Sequence, residues 1–141
     1  MLALRRRTIR STVLTLALAS AIAGCSSDNT GPEINPAVVG TWNATSFVIQ
    51  GGADLIGQGM TMSFVFAADG TYSFTVANDQ GGLCDVGTSC TETGSYTASD
   101  TQIVLDPDDD PQTLNYSISG STVTVNADME GTPITLVMDK T

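Results

Sequence analysis

Residues 60–76 read MTMSFVFAADGTYSFTV. Met60, Met62, Phe64 and Phe66 alternate with small or polar residues, Ala67-Ala68-Asp69-Gly70 interrupts the alternation, and Tyr72, Phe74 and Val76 resume it. A repeat of two is the side-chain period of a β-strand with one face buried, and an Asp-Gly break between two such runs is a hairpin signal. Outward from this hairpin the same alternation predicts eight strands, at 40–50, 60–67, 71–77, 93–98, 101–105, 113–118, 121–126 and 133–140. The inward sets of the later strands are Ile103 and Leu105; Leu114, Tyr116 and Ile118; Val123 and Val125; and Ile134, Leu136 and Met138. No helical period of useful length appears beyond residue 25. The expected fold class is all-β, as a small antiparallel up-and-down barrel without edges or as a sandwich of two sheets.

The links between these strands differ by turns. Ala68-Asp69-Gly70, Ser99-Asp100 and Ser119-Gly120 are tight, whereas 51–59, 78–92, 106–112 and 127–132 are longer and rich in Gly, Asp and Pro. In an up-and-down sheet the two groups lie at opposite ends, so one end is closed by turns and the other is a mouth lined by loops. Ten of the fifteen acids fall in the mouth loops, Asp106, Asp108, Asp109 and Asp110 among them. Charges on one rim add their potentials, which favours neutral or cationic molecules over anionic ones at the mouth. Asp106-Pro107-Asp108-Asp109-Asp110-Pro111 is acidic enough to suggest calcium, but Pro111 stands where an EF-hand needs glycine and Ser117 where it needs glutamate. It reads as a solvated acidic loop, and no metal or cofactor is expected.

Arg5, Arg6, Arg7 and Arg10 precede an uncharged, apolar and small-residue run from Ser11 to Gly24. That is the layout of a signal peptide, and the run is short of the roughly twenty apolar residues that a spanning helix needs. Ile22-Ala23-Gly24-Cys25 resembles the bacterial lipobox, which implies cleavage before Cys25 and acylation of its thiol. By resemblance to sorting patterns in Gram-negative cells, Ser26 after the cysteine, where Asp would retain the protein, implies the outer membrane of the cell envelope. The chain then divides into a signal peptide at 1–24, a lipidated tether at 25–37 with Pro32 and Pro36, and a domain at 38–141. The tether joins the first strand at the closed end, so the mouth points away from the membrane. The acyl chains on Cys25 are the expected membrane attachment.

Four of the five basic residues leave with the signal, so Lys140 faces fifteen acids, a formal balance of −14. This excludes nucleic acid as a partner and disfavours anionic headgroups. With Cys25 committed to lipid, Cys84 and Cys90 remain in an exported chain, and an oxidising compartment makes them a disulfide. The absence of His, the single remaining Lys and the paired cysteines leave only carboxylates for acid–base chemistry, so the chain reads as a non-enzyme.

Gly40-Thr41-Trp42 matches the G-x-W start of lipocalins, and Val39–Trp42, Phe64–Tyr72 and Gly94-Ser95-Tyr96 together resemble the lipocalin-like domains of bacterial lipoproteins. The resemblance favours the barrel over the sandwich. It implies that Trp42 plugs one end of the barrel under a basic residue of the last strand. Lys140, on the inward parity of Ile134, Leu136 and Met138, takes that place where the family has Arg. It also implies that the interior binds a small apolar or amphiphilic ligand, against Phe64, Phe66, Tyr72, Phe74, Tyr96 and Tyr116. The alternative is an envelope structural or interaction protein, with its barrel filled and its acidic loops meeting a partner or cation.

Overall fold

Each alternating run has one apolar face to bury, and a ring of such runs buries all of those faces together while leaving no free sheet edge. In the computed structural model, which describes residues 31–129 and 131–141, the strands are β1 (Gly40–Ile49), β2 (Thr61–Phe66), β3 (Thr71–Ala77), β4 (Ser89–Ala98), β5 (Gln102–Asp106), β6 (Gln112–Ser119), β7 (Thr122–Met129) and β8 (Thr132–Lys140). They form a closed antiparallel barrel in sequence order, with β1 pairing with β8. The fold is the eight-stranded up-and-down barrel, not the sandwich. Residues 1–24 and Cys25 lie outside the described residues.

Most of the inward sets are buried: Met60, Met62, Phe64, Phe66, Tyr72, Val76, Tyr96, Ile103, Leu105, Tyr116, Val123, Val125, Ile134, Leu136 and Met138 are core, whereas Phe74, Leu114 and Ile118 are only partly buried against it. Phe47 joins them from an odd position although Trp42 enters from an even one, because the β1–β8 register shifts between Ala44 and Ser46. A bulge of this kind adds one residue and reverses the parity beyond it.

Three boundaries differ from the sequence-based expectation. The fourth strand begins at Ser89 rather than 93, because Val76 pairs with Cys90 and Ala77 with Ser89; Ser-Cys-Thr-Glu has no apolar alternation to announce it. The run from Asn126 to Met129 stays in β7 and Thr132 opens β8, with Met129 pairing with Thr132, so the long loop expected between them is not there. The fold also begins before Val38. Ile34 bridges Ala98 in parallel, the Ala98 N–H donates to Glu33 O at 2.7 Å, and the Asn35 N–H donates to Ala98 O at 2.8 Å. The Asn35 side chain donates to the Tyr116 hydroxyl at 3.0 Å, and Trp42 Nε1 donates to Val38 O at 2.7 Å. The end of the expected tether is therefore a strap across the closed end of the barrel. Its one large apolar side chain, Ile34, stands in a polar run and has no period to reveal it.

Candidate functional site

The six side chains expected to line a ligand chamber belong to one core cluster, and four of them, Phe64, Phe66, Phe74 and Tyr96, are in ring contact. Phe64 stacks on Phe74 at 4.5 Å between centroids and lies parallel to Phe66 at 5.7 Å, while Phe66 meets the edge of Tyr96 at 4.9 Å. The three tyrosine hydroxyls are anchored in the wall: Tyr72 donates to Glu92 at 2.6 Å, Tyr96 to Ala67 O at 2.9 Å and Tyr116 to Ser99 O at 2.6 Å. Toward the closed end, the void between Trp42, Phe66, Ile103, Val123 and Met138 measures about 10 Å³, room for about one water at most. An eight-stranded barrel has an interior just wide enough for side chains to fill or to hold one small ligand, and this interior carries seven aromatic side chains among its buried residues.

At the closed end Trp42 stands opposite Lys140 in the β1–β8 register, with Lys140 Nζ 5.0 Å from the indole centroid and donating to Ala37 O at 3.2 Å. Gly40 has φ +137° beneath this lysine, and a Cβ there would lie 2.7 Å from Lys140 Cε. The G-x-W glycine is thus the residue that lets the lysine stem cross to the tryptophan.

At the other end, two loops fold inward. Leu55 and Ile56 of the 50–60 loop and Leu83 and Cys84 of the 78–88 loop pack on the core, and Gln80 Nε2 ties the loops together through Gln58 O at 3.1 Å. Each loop is organised by one carboxylate. Asp54 accepts the Phe47 and Ile56 N–H groups, both at 3.0 Å. The Phe47 bond, opposed by burial and aided by Ser46, Gly57 and Ile56, holds its carboxyl below the usual range. Asp79 accepts from Gly81 and Cys84 at 2.8 Å each; burial works against its charge, but the N–H groups of Cys84, Gly81, Leu83 and Gly82 outweigh it and lower its pKa. Cys84 and Cys90 are disulfide-bonded, joining the second loop to β4.

The remaining acids form the rim. Asp108 and Asp109 sit in the 107–111 turn with positive φ, Asp85 lies in the disulfide loop, and Glu92, Asp106 and Asp128 stand near the rim ends of β4, β5 and β7. Burial, then the hydrogen bond and charge of Glu92, push the Tyr72 hydroxyl far above the ordinary phenol range. Asp106 Oδ1 is buried without a hydrogen-bond partner. Among the described residues no three Asp, Glu, Cys or His side chains converge as a metal ion requires, so the acids of 106–110 are spread along the rim.

The rim also has a notch that sequence reasoning missed. β4 pairs with β3 from Ser89 to Ser95, but with β5 only from Ser95 to Ala98, because β5 ends at Asp106 and the chain turns away at Pro107. The crossing is possible at Gly94, where a Cβ would lie 2.8 Å from Asp106 O and 3.2 Å from Pro107 Cα. Glu92 has the inward parity of Tyr96 and Ala98 yet is exposed, since its neighbour in the barrel wall is missing. The signal was present only as unequal hairpin lengths, which depend on register.

No curated protein matches the chain. A crystal structure of a lipoprotein YedD from Klebsiella pneumoniae subsp. pneumoniae is similar at 9% identity and a TM-score of 0.49, covering 82% of this chain and 80% of that chain. A family model described as a lipocalin-like domain matches residues 38–124. That match spans more than half of the sequence and includes the G-x-W start and strands β1 to β6, and the chain belongs to the lipocalin-like domain family.

Proposed function

We propose that the chain is a lipid-anchored extracytoplasmic lipoprotein whose barrel is a filled scaffold and whose acidic rim meets a partner. The observation that carries this reading is the interior void of about 10 Å³ beside stacked Phe64, Phe66 and Phe74. Among the described residues an apolar ligand finds no interior chamber to enter, which favours recognition at the surface. The anchor is the acylated Cys25, with Ser26 directing it to the outer membrane; among the described residues no helix is long and apolar enough to cross a membrane. With residues 33–35 bonded to the barrel, the seven residues 25–31 can reach at most about 20 Å. This keeps the closed end toward the lipid and the rim facing outward.

The test is a Cys25→Ser variant of the full chain, followed by fractionation, unfolding and mass spectrometry of what is released. The expected result is loss from the membrane fraction and no equimolar small molecule. Continued membrane retention would refute the anchor, and an equimolar apolar molecule released on unfolding would refute the filled barrel.

A further inference from the structure

We infer that the open edge of β4 at residues 89–93 is a strand-addition site for an extended, lysine- or arginine-bearing peptide segment of a partner. This rests on the reading of the rim as the interaction surface and names the chemistry of what it meets.

Along β4, backbone groups point alternately to the two neighbouring strands. The Tyr96 N–H donates to Gly70 O on the β3 side, and the Ser99 N–H donates to Gln102 O on the β5 side. Even-numbered residues therefore address β3 and odd-numbered ones β5. Ser95 finds Asp106, but Thr93, Thr91 and Ser89 direct their N–H and C=O groups into the notch, where β5 has ended. Their side chains are exposed. The edge is held in place from behind, by β3 along its whole length and by the Cys84–Cys90 disulfide at its start. A rigid row of unpaired backbone groups is a template for one more strand.

Charge selects the occupant. Glu92 is an exposed residue of the edge segment itself, Asp106 ends β5 opposite Ser95, and Asp108, Asp109 and Asp110 follow in the turn after it. Among the described residues the one cation is Lys140, at the opposite end of the barrel. A second copy of the chain would bring the same carboxylates against these, and like charges facing each other across strands are destabilising. A peptide with a basic residue at alternate positions brings its cations to this acidic rim, with Glu92 on the edge strand itself, while its backbone pairs with Thr91 and Thr93.

The experiment uses the purified full chain and a blocked peptide of alternating lysine and threonine. Controls are the glutamate–threonine analogue and a lysine–threonine peptide N-methylated at alternate amides. Binding is followed by titration, and site-resolved amide exchange is read at Thr91 and Thr93. The lysine peptide should bind and slow exchange at both amides, and neither control should do so. Thr91→Pro deletes an outward-pointing donor without touching the β3 ladder and should weaken binding about tenfold. Joint Asp108→Asn, Asp109→Asn and Asp110→Asn substitution, on an exposed turn, should weaken it by a similar factor at low salt and less at high salt. Equal binding of the N-methylated peptide without protection would reduce the effect to charge and overturn the proposal. So would absence of binding, or protection of these amides by dimerisation of the chain alone. Since this readout is on β4 and that of the filled barrel is a released small molecule, either reading can fail without the other.

Discussion

Replacing Phe64 with alanine would give this barrel the chamber it lacks. Phe64 is 6% exposed, faces Trp42 on β1 and Phe74 on β3, and lies between the rings of Phe66 and Phe74. Its neighbours are held by strand registers on both sides and cannot collapse freely into the space. The loss then combines the transfer free energy of the ring with a cavity penalty, about 3–5 kcal/mol for Phe→Ala in a core. About 110 described residues at roughly 2.1 cal/mol/K each give an unfolding entropy near 0.23 kcal/mol/K, so the midpoint should fall by about 13–22 °C. Thermal and urea unfolding followed by circular dichroism measure both quantities. A dry apolar cavity also binds benzene, and a ligand at one hundred times its Kd stabilises by about 2.7 kcal/mol. Benzene should therefore raise the midpoint of Phe64→Ala and leave that of the native chain unchanged. A penalty under about 1 kcal/mol, or equal stabilisation of the native chain by benzene, would show that space already surrounds Phe64 and refute the filled interior.

Two further outcomes are expected. Joint Cys84→Ser and Cys90→Ser substitution opens a short loop and should cost about 2 kcal/mol on the loop-entropy model, read as a lower urea midpoint; an unchanged midpoint would mean the 78–88 loop is held by Asp79 and Leu83 alone. Burial first raises the pKa of all three tyrosines, reinforced at Tyr72 by Glu92, at Tyr96 by Asp69 and at Tyr116 by Asp100, with Asn35 opposing at Tyr116. The folded state then holds protons that the unfolded state releases above the ordinary value of 10.0. That contribution to stability is complete below this pH and lost as pH rises past it. Tyrosinate absorbance should appear together with alkaline unfolding, and ionisation near pH 10 in the folded chain would contradict the burial.

The sequence by itself determined the repeating strand and its inner face. Alternation at Met62, Phe64, Phe66, Tyr72 and Val76 is a local property, and the hydrophobic effect reads it the same way wherever the strand sits. Cys84 and Cys90 were legible as the pair that remains when Cys25 is read as the lipidation site, and they are disulfide-bonded. What only the tertiary structure decided depends on comparing parts of the chain that are distant in sequence. The β1 bulge that turns Phe47 inward exists because β8 keeps its own register. The strap at Glu33–Val38 forms because Ala98 and Tyr116 present partners to an otherwise featureless polar run. Whether the interior is a chamber depends on the summed volume of side chains from all the strands, and the parity of any one of them is blind to that sum. The notch beside β4 is likewise a difference between two hairpin lengths, and it becomes visible only when Ser95 is seen to face Asp106 with Pro107 turning away.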